Sequence, residues 1–314
     1  IIGLQNSKTG DKARDYYNKK LKHFNDIENL HHKTDSGMNI TIDGANGRLY
    51  SIMTRMKSEY RHGGFFTING ERFKEVDISN SQPTLLGLRV KRKKQELGNT
   101  LNSLWMEHAL KGDFYEWLID ITGLLKDRSV DDIISEYNNH ISKNKKSKKK
   151  KVREQALDEE NVLDKVKHES SSNPYIKLRP LIKHWIIKFL FGKQMVGVDD
   201  KQPKNIERKF LKNLWRYLYE NEPSIYEEIL WYKKHPEPKR KHPDENASVL
   251  ARRLQDEEVR YIKEVLKNLD PHIRYLYTVH DCIGCLESDV ELVKSVMEQT
   301  ALDIYGVKLK LKVE

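Results

Sequence analysis

Long apolar runs are missing from this 314-residue chain. The longest, Trp185 to Leu190, is broken by Lys188 and is far shorter than the roughly 20 residues a bilayer-crossing helix requires, so no membrane partner is expected. The first residues, IIGLQNSKTGDKARDYY, lack the charged-then-apolar layout of a signal peptide, and they lack an initiating Met, which reads as a trimmed or fragmentary chain. Cysteine is nearly absent. Cys282 and Cys285 form one C-x-x-C with no second pair or His cluster to complete a zinc site. They read as small strand residues rather than a redox pair, and so few thiols fit a reducing, cytoplasmic compartment. No internal repeat is visible.

Charge is what the chain has in quantity. Charged residues make up 33% of it, and 57 Lys and Arg against 47 Asp and Glu leave a net +10, which favours an acidic partner such as nucleic acid over a neutral small molecule. The stretch RYLYTVHDCIGCLESD, residues 274–289, alternates β-branched and aromatic residues, breaks at His280-Asp281, and resumes around Gly284. It predicts two short strands with an Asp at the turn. Such a carboxylate suits a hard cation, and an ordinary turn Asp is the other reading. A second strand-end carboxylate follows the hairpin signal Asn69-Gly70, where both turn positions favour positive φ: the strand ends at Asp77, then Ile78-Ser79-Asn80-Ser81-Gln82-Pro83 and an apolar helix start. Two strand-end aspartates from distant parts of a basic chain are what two-metal phosphoryl transfer requires.

Between them the pattern is helical. Residues 97–140 carry apolar stripes at Leu101, Leu104, Trp105 and Ala109, then Phe114, Trp117, Leu118 and Ile121, which read as core. Residues 142–172, with SKNKKSKKKK and an acidic stretch, predict a mobile loop, because like charges repel and have nothing to bury. In LRPLIKHWIIKFLFGK, Pro180 suits a first helical turn, and Arg179, Lys183, Ile187 and Phe191 recur every four residues on one face, with Gly192 directly after. Two cations, an aliphatic and an aromatic in that order would grip a triphosphate and its base; a half-buried helix with snorkelling cations fits the same residues. Residues 207–232 form another aromatic-rich helical region, HPEPKRKHPDEN is a loop, and a long helix over 247–269 carries Leu254-Gln255. An amphipathic helix, 290–304, and an alternating strand, 307–313, close the chain.

In that order the segments resemble the A family of DNA polymerases, the bacterial repair-polymerase type, in a compact phage, plasmid or mobile-element form, and more distantly the single-subunit phage RNA polymerases. Asp77 with Ile78-Ser79 resembles the first catalytic motif, the Arg179 to Gly192 helix the nucleotide-binding helix, and Val279-His280-Asp281 the second catalytic motif. Gly47-Arg48-Leu49 resembles a primer-template element, 112–116 a segment after the first motif, and Leu254-Gln255 a template-contacting helix. The resemblance covers about residues 39–125 and 174–314.

It implies an α+β right-hand fold: an antiparallel β palm from residues 36–96 and 260–314, helical fingers over 97–259 with an insertion at about 126–172, and residues 1–35 as the remnant of a reduced or missing thumb. It implies two Mg²⁺ ions, with Mn²⁺ as the substitute, held by Asp77, Asp281 and Ile78. Arg179 and Lys183 would meet the phosphates, with Lys183 also the proton donor to pyrophosphate. Ile187, Phe191 and Gly192 would meet base and sugar, with Ile78, Ser79 and Gln82 completing the nucleotide site. Arg48, Gln255 and His280 would meet the primer-template. Partners would be DNA primer-template, nucleoside triphosphates, and a subunit or segment supplying a thumb, in a nucleoid or an infected host cell.

Three positions depart from the family. Gln82 stands where DNA-polymerising members carry a Glu that blocks a ribose 2′-hydroxyl, Phe191 replaces a Tyr, and Cys282 replaces a carboxylate. The loss of the Tyr hydroxyl leans towards deoxynucleotides. An RNA polymerase or primase-like enzyme, a metal-dependent nuclease, and a non-catalytic nucleic-acid-binding module are the competing readings.

Overall fold

The computed structural model describes residues 41–42, 49–50, 54, 61, 67–146, 150–192, 205–234, 249–271, 273 and 275–314, and within them the protein is α+β, mostly helical with antiparallel strands. The N-terminal segment 1–35 and Arg48 lie outside these residues. The chain divides into two compact units. One comprises Ile1–Val76, Asp270–Val293 and Val313–Glu314, the other Asp77–Leu269 and Lys294–Lys312.

The first unit is built on hairpins. Strands β1 (Thr41–Ile42) and β2 (Leu49–Tyr50) pair antiparallel, with Thr41 opposite Tyr50. Strands β3 (Thr67–Ile68) and β4 (Glu71–Ile78) are joined by Asn69-Gly70, whose φ angles of 53° and 83° are the left-handed values the turn signal predicts. Strands β5 (Leu276–Val279) and β6 (Cys282–Leu286) pair antiparallel and close through His280-Asp281, with Val279 opposite Cys282. The sheet order is β3-β4-β6-β5, and β7 (Leu311–Val313) pairs with β4. Tyr277 stands opposite Gly284 in register, and a Cβ on Gly284 would lie 2.1 Å from the ring, so only glycine lets the ring cross the strand. The Tyr277 hydroxyl donates to Glu75 Oε1 at 2.9 Å, and Arg61 Nε donates to the same oxygen at 2.5 Å, so the buried carboxylate is fully engaged. Burial, with the Glu75 charge adding to it, pushes the Tyr277 phenol well above its ordinary range. Cys282 and Cys285 are free, buried thiols, and burial pushes Cys285 up to about 12, which keeps it protonated and unreactive.

The second unit is helical: α1 (Ser81–Glu96), α2 (Leu104–Lys111), α3 (Phe114–Thr122), α4 (Val130–Lys145), α5 (Lys150–His168), α6 (Pro174–Phe191), α7 (Ile206–Asn221), α8 (Pro223–Lys234), α9 (Val249–Asn268) and most of α10 (Val290–Tyr305). Local chemistry sets several boundaries. Ser103 and Asn205 cap α2 and α7 with side-chain oxygens, Gly112 ends α2 at φ 86°, and Ser129 with Asp132 forms a capping box at α4. Of the apolar stripes expected as core, Trp105, Ala109, Phe114, Trp117 and Leu118 are buried, Leu101 and Ile121 are partly buried against the core, and Leu104 is exposed, which corrects the reading at that position. The indole of Trp105 donates to the Pro83 carbonyl at 3.0 Å, tying α2 to the start of α1.

Two expectations are overturned. The segment 142–172, read as a mobile loop, is largely helical, completing α4 and forming α5. Its charge run hid a second pattern: Leu163 and Val166 are buried, Glu159 pairs with Lys188 of α6, and Glu160 pairs with Lys145 of α4. Opposite charges on neighbouring helices thus offset the repulsion counted along the sequence. Pro180 does not open its helix. Asn173 caps α6 by accepting from the Tyr175 amide at 2.9 Å, Pro174 occupies the first turn, and Pro180 lies inside. The lost amide hydrogen bond is tolerated because Leu178, Leu181, Ile182 and Trp185 bury the same helix.

Candidate active site

Strand β4 delivers Asp77 half-buried at its end, where Lys312 Nζ sits 2.8 Å from Asp77 Oδ2. The Ser79 amide donates to the Lys310 carbonyl at 2.9 Å, which holds the segment after Asp77 against the C-terminal strand. Asn80 then takes a left-handed conformation (φ 53°, ψ 41°) and turns the chain into α1. Asn tolerates that region better than most residues, so Ser79-Asn80 makes the turn between strand and helix.

Helix α6 places its four predicted residues as the spacing requires. Lys183 is exposed, Arg179, Ile187 and Phe191 are partly exposed with Phe191 packed against the core, and Leu178, Leu181, Ile182 and Trp185 are buried on the opposite side. Arg179 is the anchor. Its guanidinium donates to Asn80 Oδ1 at 3.3 Å and to Glu116 Oε1 at 3.4 Å, and lies 5.5 Å from the Tyr115 ring centroid. Two segments separated by about a hundred residues, the one that follows Asp77 and the face of α6, therefore meet through a hydrogen bond.

A third segment joins them. Gln82 Nε2 donates to Glu258 Oε2 of α9 at 3.4 Å, and Gln255, half-buried, lies three residues earlier on the same helix. Glu258 is buried, which gives a reason for the Gln: a Glu at position 82 would set two carboxylates against each other in a low-dielectric site. Asn80 Nδ2, Gln82 Oε1 and Glu116 Oε2 are buried polar atoms without a protein hydrogen-bond partner. Such atoms are costly unless something binds them, and three of them border one cluster.

Asp281 and His280 belong to the first unit, at the β5–β6 turn, where His280 is exposed with a φ of 55°. The strand–turn–strand reading is therefore right, and Asp281 is partly exposed at its tip. Ile78 is buried in β4, and with no side-chain donor it can meet an ion only through its carbonyl. Asp77 offers carboxylate oxygen, the ligand type a hard cation takes, but Lys312 Nζ holds Oδ2 at 2.8 Å, so an ion at that oxygen would have to displace the ammonium. Among the described residues no three His, Cys, Asp or Glu side chains gather at one point.

Sequence reasoning missed Asn80, Glu116, Lys312 and Lys233. Glu116 was within reach as part of the 112–116 segment, but nothing local marks the others. Lys233 of α8 donates to the Phe189 and Gly192 carbonyls at 2.6 and 2.8 Å, at the far end of α6. Burial pulls its ammonium down to about 8. Between pH 8 and the ordinary lysine range the unfolded chain holds this proton more tightly than the folded one, so this group's contribution to stability rises with pH. Denaturant unfolding at pH 7 and pH 10 should show wild type gaining on Lys233→Met as pH rises. A margin that shrinks instead contradicts the burial argument.

No protein-family model matches the chain, and no curated relative matches it. A solved structure does. It is the POL domain of Pol1 from M. smegmatis, in complex with DNA primer-template and dNTP, at a TM-score of 0.43 and 10% identity, covering 96% of this chain and 52% of that one. The chain thus spans about half the length of that neighbour. At this depth the likeness assigns no chemistry, which has to come from the residues themselves. No helix among the described residues is long and apolar enough to cross a membrane.

Proposed function

We propose that the protein is a template-directed DNA polymerase that adds deoxynucleotides to a primer 3′-hydroxyl. The observation that carries this reading is the Arg179–Asn80 hydrogen bond, which joins the cationic face of α6 to the segment carrying Asp77. A nuclease has no use for that face, and a simple binding module has no use for a carboxylate beside it.

Asp77 and Asp281, with the Ile78 carbonyl, would hold the Mg²⁺ ions. When bound, these ions supply charge neutralisation for the attacking and leaving oxygens. The chain's own residues supply the rest. Arg179, fixed by Asn80 and Glu116, has its geometry set before a triphosphate arrives, which lowers the ordering cost of the grip. Lys183, one turn on and exposed, reaches phosphate oxygens and can give a proton to pyrophosphate. Ile187 and Phe191 offer the base and sugar an apolar surface, with Gly192 beyond them and Ser79 beside Asp77. Gln82, held by Glu258, would face the sugar 2′ position. Gln255, His280 and Arg48 would contact primer-template, whose phosphates the net +10 charge favours.

The decisive test is extension of a labelled primer on a DNA template with Mg²⁺, four deoxynucleotides in one lane and four ribonucleotides in another. Templated extension with deoxynucleotides supports the reading. Ribonucleotide extension places the chain with RNA polymerases or primases, degradation without added triphosphate makes it a nuclease, and duplex binding with neither makes it a binding module.

Three substitutions probe the site further. Arg179→Ala should raise the nucleotide KM by roughly tenfold to a hundredfold, since a partly desolvated charge-assisted contact is worth about 1.5–3 kcal/mol. Gln82→Ala should raise ribonucleotide incorporation by about tenfold, the value of one steric contact in a pocket. Gln82→Glu should not tighten selection here, because it faces buried Glu258; single-nucleotide insertion with matched ribo- and deoxynucleotides measures both.

A further inference from the structure

We propose that Lys233 is a positioning residue for nucleotide binding, clamping the end of α6 that carries Phe191 and Gly192 while its helix, α8, braces that end against α1. The proposal rests on the polymerase reading above. The last carbonyls of a helix have no intrahelical partner and carry its negative end. Many helices satisfy them with a glycine in the left-handed region. Gly192 is instead extended, with φ −70° and ψ 143°, although its amide still donates to the Lys188 carbonyl at 2.8 Å. A Cβ at Gly192 would lie 2.5 Å from that carbonyl, so glycine is needed for the close approach and not for a left-handed cap.

The capping falls to another helix. Lys233 Nζ donates to the Phe189 and Gly192 carbonyls at 2.6 and 2.8 Å and lies 5.3 Å from the Phe189 ring centroid. No carboxylate is among these partners. The nearest acidic residues along α8 are Glu227 and Glu228, and Glu228 is committed to Arg89 and Lys93 of α1, at 2.9 and 2.6 Å. Among the described residues the ammonium is thus desolvated and held by two carbonyl oxygens and the Phe189 ring, and its depressed pKa of about 8 reflects that burial.

The neighbouring residue completes the brace. Tyr232 and Glu228 both meet Arg89 of α1, at 2.5 Å to the Tyr232 hydroxyl, and Arg89 lies 5.5 Å from the Tyr232 ring centroid. Helix α1 is the element that follows Asp77. Adjacent residues of α8 therefore touch both the helix after Asp77 and the end of α6, fixing the distance from one to the other. Arg179 is held separately near the other end of α6 by Asn80 and Glu116. Loss of the clamp should free the last turn, displacing Phe191 and Gly192 while leaving the phosphate grip in place.

The test uses the full chain with Lys233→Met and Lys233→Arg, measuring single-nucleotide insertion over a deoxynucleotide range, primer-template affinity by anisotropy without nucleotide, and thermal melting. Lys233→Met should raise the nucleotide KM by about tenfold, as expected for a misplacement of well under 1 Å. It should leave kcat at saturation and primer-template affinity near wild type, and Lys233→Arg should recover most of the loss. A folded Lys233→Met with wild-type KM overturns the clamp while the polymerase reading stands. So does a variant that loses kcat and primer-template affinity in parallel with its melting temperature, since that is a general packing defect. If Lys233→Met does not fold, Tyr232→Phe removes only the hydroxyl that Arg89 meets. It must then raise KM, and an unchanged value overturns the proposal. A wild type that inserts nothing defeats the polymerase reading and the clamp with it.

Discussion

Asp77→Asn is expected to reduce nucleotide incorporation on the order of a thousandfold or more while leaving primer-template affinity nearly unchanged, because a metal-binding carboxylate contributes several kcal/mol at the transition state and tenfold in rate is about 1.4 kcal/mol. The substitution preserves shape and removes charge. Asn can still accept from Lys312, whose contact with Asp77 Oδ2 is 2.8 Å, so the end of β4 should keep its conformation. That ion pair is partly exposed and should add little to stability. Asp281→Asn should have the same effect from the β5–β6 turn. Primer extension, anisotropy and melting of the two variants would separate the outcomes: normal extension by either one removes it from the catalytic assignment.

The second large effect lies in the helical unit. Lys188 of α6 reaches Glu159 of α5 at 2.8 Å and Glu207 of α7 at 2.7 Å, with both carboxylates buried. Burial opposes the Lys188 charge, but Glu207 and Glu159 outweigh it and hold the ammonium above its ordinary range. Lys188→Met would remove the cation that both buried carboxylates face. Breaking a buried pair by removing one partner costs about 3–5 kcal/mol, or a fall of roughly 10 °C in melting temperature for a unit of this size. Lys188→Met combined with Glu159→Gln and Glu207→Gln should recover most of that loss, since no buried charge is then stranded. A single variant that melts within about 1 °C of wild type would mean the cluster is solvated and worth little.

This cluster also marks what one-dimensional reading could not see. The Asn69-Gly70 hairpin, the strand–turn–strand around Asp281, the buried aromatic stripes and the outward face of α6 were all legible, because each depends on turn chemistry or on a period of two or 3.6 residues. The fate of 142–172 was not legible. Its lysine run repels along the chain, and only α4 and α6, supplied from elsewhere, turn Glu160 and Glu159 into partners. Pro180 misled for a related reason: a local preference for helix starts was overridden by the apolar face that α6 buries.

By itself the sequence determined an α+β chain, the strand-end position of Asp77 and turn position of Asp281, and the order of groups along α6. Tertiary structure alone decided that Arg179 meets Asn80, that Gln82 rather than Glu fits beside buried Glu258, and that Lys233 closes the end of α6. The physical reason is the same in each case. Periodicity and turn propensity act between neighbours in the chain, whereas a hydrogen bond or a desolvated charge depends on which distant segment is packed against it.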